Sequence, residues 1–490
     1  DLHTAYRRQR QMCIRDRSRR NFFIMESSKE FKGDNRLLVG IIISVLTFWL
    51  FAQSLLNIVP TLQSSFNTDL GTINIAVSLS ALFSGLFIVG AGDVADKFGR
   101  VKMTYLGLGL NIIGSLLLII TPVPWLLLIG RALQGLSGAF IMPSTLAIIN
   151  EYYIGKERQR ALSFWSIGSW GGSGICSLFG GFIASTIGWQ WIFIISIALS
   201  ILSFFLIKHT PETKNEPDTD TDNSGSKFDV IGLILLVITL LSVNVMVTQA
   251  SDRGLLSPVI LSLFGIFLIA GIFFVFREFK TENPLVDFSL FKNKGYSGAT
   301  LSNFMLNGVA GGTLIVVNTY YQSHLGFTSL QAGLISITYL VAVLVMIRVG
   351  EKLLQQLGAK KPLLIGSGFT FLGLLLLSLT FLPNLFYIIS SIIGYLLFGI
   401  GLGMYATPST DTAVDQAPDD KVGVASGLYK MASSLGNAFG VALSSTIYGV
   451  CAAKMNLELG GLAGVLFNAI IVLTAFFVIF FLIPSKTKRA

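Results

Sequence analysis

Long apolar stretches alternate with short polar ones along almost the whole chain. A helix that crosses a membrane needs about 20 mostly apolar residues. By that ruler fourteen stretches qualify: 37–59, 72–91, 103–121, 126–149, 161–186, 191–207, 230–248, 258–276, 297–317, 330–349, 362–382, 386–407, 422–450 and 462–483. Most are apolar on every face rather than along one stripe, and glycine is frequent inside them. Such helices belong in lipid, where each backbone polar group must be satisfied within its own segment. The pattern predicts an all-α, multi-pass membrane protein.

Composition agrees. Of 490 residues 52% are hydrophobic and 12% charged, against about a quarter charged in a soluble protein. Cys13, Cys176 and Cys451 have neither metal-ligand nor redox spacing. The net charge of +9 raises the question of nucleic acid, but its placement answers a different one. With the N-terminus inside, the cytosolic loops carry Lys97, Arg100, Lys102, Lys156, Arg158, Arg160, Lys208, Lys214, Lys227, Arg277, Lys280, Lys292, Lys294, Lys352, Lys360, Lys361 and Lys421. The opposite loops hold only Arg253 and Lys454. This bias predicts a cell-membrane protein with both termini cytosolic and no nucleic-acid partner.

The expected organisation is a cytosolic segment 1–36, a first six-helix bundle 37–208, a cytosolic linker 209–229, two linking helices with a cytosolic loop 230–296, a second six-helix bundle 297–484 and a cytosolic tail 485–490. Residues 1–24 are Arg-rich and do not begin with Met. Met12 to Arg17 resembles a translated sequencing-library adaptor, so this stretch is expected to be non-native, with Met25 as the start. The linker is polar and without periodicity, and is expected to be flexible. A repeat supports the two bundles: GAFIMPSTLAI from Gly138 and GMYATPSTDTA from Gly403 align at an offset of 265. A weaker echo relates GEKLLQQLGAKK, residues 350–361, to residues 92–102, with Gln355 in place of the acid.

Two local patterns carry a family resemblance. Gly92-x-Val-Ala-Asp96-Lys97-x-Gly99-Arg100 resembles the loop motif between helices two and three of the major facilitator superfamily. Leu127-x-x-x-Arg131-x-x-Gln134-Gly135 resembles its helix-four motif. Fourteen spans point to the drug:H⁺ antiporter branch. Within it, FWLFAQSLLNIVP, RQRALSFWSIGSWGGSGICS and YATPSTDTA are similar to the quinolone exporters of NorB and NorC type from Gram-positive bacteria. The resemblance implies two six-helix bundles plus two linking helices, working by alternating access. It implies a multidrug efflux antiporter that exports amphipathic drugs such as quinolones in exchange for protons. No cofactor beyond the proton gradient is expected, and no catalytic or metal constellation occurs. The expected partners are small-molecule drugs, protons and membrane lipid, with the chain a monomer. A tetracycline exporter, an exporter of an endogenous lipid or metabolite, and a transport-inactive sensor share the architecture.

The resemblance also assigns residues. Gly92, Asp96, Gly99 and Arg100 are expected to form a conformational latch; the plainer reading is a solvated loop obeying the charge bias. Arg131, at about 2.5–3.5 kcal/mol to insert, is expected in proton transfer or in pairing with a drug carboxylate; snorkelling is the alternative. Gly168, Gly172, Gly180 and Gly181 of helix five are expected to let the two halves approach closely, although the family's Gly-Pro is absent at Gly172-Ser173. An acid that the branch often carries in helix one is missing, near Ala52. Nearby Gln53 and Asn57, four apart on one helical face, can bond a substrate but not titrate. Asp411 is the remaining acid within a span, close to its cytosolic end. Asn303, Asn307, Tyr339, Tyr405 and Phe439 could line a cavity or simply pack. Lys430 is a further charge, read as reaching the cytosolic interface.

Overall fold

The computed structural model describes residues 32–485 except 121–122, 154–156, 158–159, 162–163, 166, 214–228, 255, 282–283, 285, 287 and 418–421. The predicted non-native segment 1–24, most of the linker and the tail therefore lie outside the described residues. Among the described residues the chain is helical, without strands. The principal helices are α1 Asn35–Leu46, α2 Leu70–Phe98, α3 Arg100–Ile120, α4 Pro124–Tyr152, α5 Gly172–Thr186, α6 Gln190–Ile207, α7 Val230–Arg253, α8 Pro258–Lys280, α9 Lys294–Ser323, α10 Ile337–Leu357, α11 Lys360–Leu377, α12 Asn384–Asp415, α13 Val422–Lys454 and α14 Leu457–Leu482.

Thirteen of the fourteen predicted spans are long, apolar helices among the described residues. The exception, 161–186, includes undescribed positions. Within it a π turn, Ile167–Gly171, runs into α5. The helix starts follow local chemistry. Asp34, Asp69 and Asn456 accept hydrogen bonds from the third amide of α1, α2 and α14, while Pro124 and Pro258 occupy first turns, where no amide is needed.

The first span is not one regular helix. After α1 the backbone winds as a π-helix over Thr47–Ala52 and a 3₁₀-helix over Gln53–Asn57. With 3.0 residues per turn, positions 53 and 57 are a third of a turn apart.

Packing repeats after eight helices. In the first half α1 packs on α6 and the chain just after α1, residues 47–57, on α5, α2 on α4, α3 on α4 and α6. In the second half α9 packs on α13 and α14, α10 on α12, α11 on α12 and α14. Glycine contacts fix the register. Gly114 lies against Gly130 and Gln134, and Gly373 against Gly394 and Phe398. Gly107 lies against Ser137 and Ile141, and Gly366 against Gly401 and Tyr405. Gly135 abuts Ser80 and Phe83, and Gly399 abuts Tyr339 and Ala342. The offset is therefore 259 for α2 and α3 and 264 for α4, one residue short of the 265 that aligns Pro143 with Pro408. At 259, Gly99 falls on Gly358, and both end their helix with positive φ, 117° and 75°. Only glycine adopts such angles without penalty.

The halves meet along α2 against α13, and α5 against α10 and the short helix Ser329–Ile335. The inserted pair α7 and α8 pack on each other, and α7 also on α2 and α13. Ser78 donates to Asn244 of α7 at 3.2 Å, and Thr446 to the Val247 carbonyl at 2.8 Å.

Candidate functional site

The charged loop has more structure than its sequence suggests. Arg100 pairs with Glu151 of α4 at 3.4 Å. The first amides of α3 lack helical partners, and the Glu212 carboxylate supplies them, accepting from Val101 at 2.8 Å and Lys102 at 2.9 Å. Thr213 accepts from the Arg100 amide, and Tyr152 donates to the Pro211 carbonyl at 2.7 Å. Residues 209–213 of the predicted flexible linker are thus strapped under the loop, a correction whose cause is the helix N-terminus attracting a carboxylate. Glu151 and Glu212 were not singled out from sequence; PET after the sixth span was the available signal. Burial first, then the charges of Glu151 and Glu212, push the Tyr152 hydroxyl up to about 12. The Asp96 side chain lies outside the described ones. Gly92 faces Pro143 of α4.

Arg131 is fully buried, 0% exposed. Its Nε donates to the Ala76 carbonyl (2.9 Å), Nη2 to the Val77 carbonyl (3.2 Å) and Ser80 (2.6 Å), and Nη1 to Gln134 (2.8 Å). It ties α4 to α2 inside the first bundle. At the repeat offsets Arg131 and Ser80 fall on Tyr395 and Tyr339, whose ring centroids lie 6.3 Å apart.

Asn303, Asn307 and Tyr405 converge in the second bundle. Asn303 donates to Ser433 (2.6 Å) and the Tyr429 carbonyl (3.0 Å), and accepts from Asn307 (2.8 Å). The Tyr405 hydroxyl bonds Ser302 (2.7 Å) and accepts from Ser409 (2.9 Å), which also meets the Tyr429 hydroxyl at 2.8 Å. Tyr339 stands apart, packed on Phe398. Asp411 is in the last turn of α12, lining a small cleft with Asp415 and Pro484. The Gln53 side chain is outside the described ones.

The halves also close on each other at the end of the bundle opposite the charged loop. Asn57 donates to the Ser329 carbonyl at 3.0 Å, Gln322 to the Asn57 carbonyl at 2.7 Å, and Ser329 to Gln322 at 3.0 Å. Gly181 is pressed against both Ser329 and Asn57. Gly168, Gly172 and Gly180 instead face α1 and its extension, at Val45, Trp49 and Ser54. Of the four predicted packing glycines Gly181 has Ser329 of the opposite bundle as its nearest neighbour, while the nearest neighbours of the other three lie in the first bundle. Gln322 and Ser329 were not anticipated, because nothing local marks a residue whose partner lies about 270 positions away.

At the loop end, Lys430 of α13 sets its Nζ 4.8 Å from the centroid of the Trp165 ring in the other bundle. Among the described residues no group of three or more His, Cys, Asp or Glu could hold a metal ion.

Two six-helix halves related by an eight-helix shift, joined by an extra hairpin and closed on each other across a central seam, define a membrane transporter. The profile of the Major Facilitator Superfamily matches residues 37–441 and again 300–490, and the chain belongs to that superfamily. It is 59% identical over 460 residues to the Quinolone resistance protein NorB of Staphylococcus aureus (strain COL), covering 94% of this chain and 98% of that one. The protein of the same name from strain MRSA252 is 58% identical over the same coverage. Among solved structures, the nucleoside transporter NupG matches with a TM-score of 0.61 at 15% identity, covering 92% of this chain and 100% of that one. The peptide transporter POT matches with a TM-score of 0.64 at 13% identity, covering 94% and 99%. These two likenesses concern the fold alone.

Proposed function

We propose that the protein is a proton-coupled multidrug exporter that moves amphipathic drugs, quinolones among them, out across the cell membrane by alternating access. The observation that carries this reading is the 59% identity extending over 98% of a quinolone resistance protein. Residues 37–208 and 297–484 act as the two rocking bodies, as a monomer with both termini cytosolic, and 230–296 rides between them. The seam contact of Asn57 with Ser329, at the end opposite the charged loop, is of the kind that alternation must break. Gly92, Asp96, Gly99 and Arg100, braced by Glu151 and Glu212, serve as the cytosolic latch. Arg131 holds α2 and α4 in register and belongs to the proton pathway; Asp411 is the acid candidate for coupling.

The test is norfloxacin and ethidium efflux from cells expressing residues 25–490, with and without a protonophore. Protonophore-sensitive loss of both compounds from cells expressing wild type, abolished in Arg131→Ala, is expected. No efflux of either compound from well-expressed wild type refutes the drug-exporter reading and points to an endogenous substrate. Unchanged efflux in Asp411→Asn removes that residue from the proton pathway.

A further inference from the structure

Lys430 lies eight residues beyond Val422, the first described residue of α13, about 12 Å along the helix axis. Its direction follows from its neighbours. One flank of α13 meets α2, with Gly427 nearest Val89 and Ser434 donating to Ser84 at 3.5 Å. The other flank meets α9, through Tyr429 and Ser433 against Asn303. At 100° per residue, position 430 falls between these flanks and points into the seam between the bundles, not into lipid. The side chain is only half-buried.

Among the described residues Lys430 makes neither an ion pair nor a hydrogen bond. What it has is aromatic: the Trp165 ring at 4.8 Å and the Tyr429 ring at 5.8 Å. Trp165 is buried and fixed, its Nε1 donating to Thr145 at 3.1 Å. Ring faces offset part of a cation's desolvation but accept no N–H hydrogen bond of ordinary strength. Three ammonium donors are therefore left for an incoming acceptor. Arg131, the other cation within the bundle core, has its donors turned to α2 and Gln134 instead.

We infer that Lys430, with Trp165 as its aromatic wall, is a subsite for the carboxylate of an aromatic carboxylic-acid substrate in the loop-end half of the seam. The ammonium takes the carboxylate, and the indole and phenol faces take the adjoining ring plane. The assignment rests on the drug-exporter reading and adds a substrate class to it: planar aromatic monocarboxylates are favoured over cations of similar size. Lys430 is then a specificity-determining residue.

The experiment compares transport of norfloxacin, norfloxacin methyl ester and ethidium by the full chain in proteoliposomes, for wild type, Lys430→Met and Lys430→Arg. In Lys430→Met the ratio of norfloxacin to ethidium transport is expected to fall about tenfold, with Lys430→Arg restoring most of it. In wild type, independently of any variant's folding, the ester is expected to compete for norfloxacin transport at least fivefold more weakly than the free acid. Equal loss of all three compounds in Lys430→Met makes the residue a closure contact between bundles and overturns the assignment. Equal competition by acid and ester also overturns it. Transport of ethidium but not norfloxacin by wild type overturns the subsite while leaving the exporter reading intact; transport of none overturns both.

Discussion

Gly181→Ala should bias the protein between its two faces without touching the substrate path. In the present conformation a methyl group at 181 would overlap the Ser329 carbonyl and the Asn57 amide nitrogen. The Asn57–Ser329 hydrogen bond, 3.0 Å long, and the added methyl cannot both be accommodated while the bundles stay closed there. Losing that bond costs about 0.5–1.5 kcal/mol, and a buried carbonyl left without a partner costs about 1–3 kcal/mol. The penalty falls on this conformation alone, since separating the bundles frees both groups. A shift of about 1–3 kcal/mol corresponds to roughly 5–150-fold in population toward the form open at that end. Val59, buried beside the contact, reports it. With Cys13, Cys176 and Cys451 replaced by Ser, Val59→Cys should react with a membrane-impermeant maleimide at least fivefold faster when Gly181→Ala is added. An unchanged rate, with expression preserved, would refute the claim that this contact closes the seam.

Two further outcomes follow from local geometry. Arg131→Lys keeps the charge but lacks a guanidinium's fork of donors, so it should fail to span Ala76, Val77, Ser80 and Gln134. Efflux and detergent thermal stability should drop nearly as far as in Arg131→Ala, and near-wild-type stability in the lysine variant would exclude the tether. At the start of α7, burial alone would raise the Asp229 carboxyl, but bonds from Arg277 (2.8 Å) and the Gly232 amide (2.8 Å) outweigh it and hold it below its ordinary value. Its stabilisation is present above the unfolded value and lost as pH falls through the lower folded one. Wild type should thus lose an increment of thermal stability below about pH 4 that Asp229→Asn lacks at every pH; parallel pH profiles would contradict the pairing.

Thirteen of the fourteen spans, the two-bundle plan and the family were legible in sequence because each is written locally. A run of apolar residues long enough for lipid, a cation-rich loop and a short motif need no distant partner to be read. Even the repeat was visible, although its true register, 264 for α4, appeared only when Gly130 and Gly394 were seen touching equivalent neighbours, Gly114 with Leu118 and Gly373 with Leu377. Tertiary structure decided which face each polar residue presents. The backbone of Gln53–Asn57 tightens to 3₁₀, a change of winding that no local pattern announces. Gly168, Gly172 and Gly180 pack within a bundle while Gly181 packs between bundles, although all four carry the same small-residue signal. Glu212, Ser329 and Lys430 acquire meaning only through α3, Asn57 and Trp165, partners more than a hundred residues away. Lipid selects composition along a helix, and it is the packing of such helices against one another that assigns each polar side chain its partner.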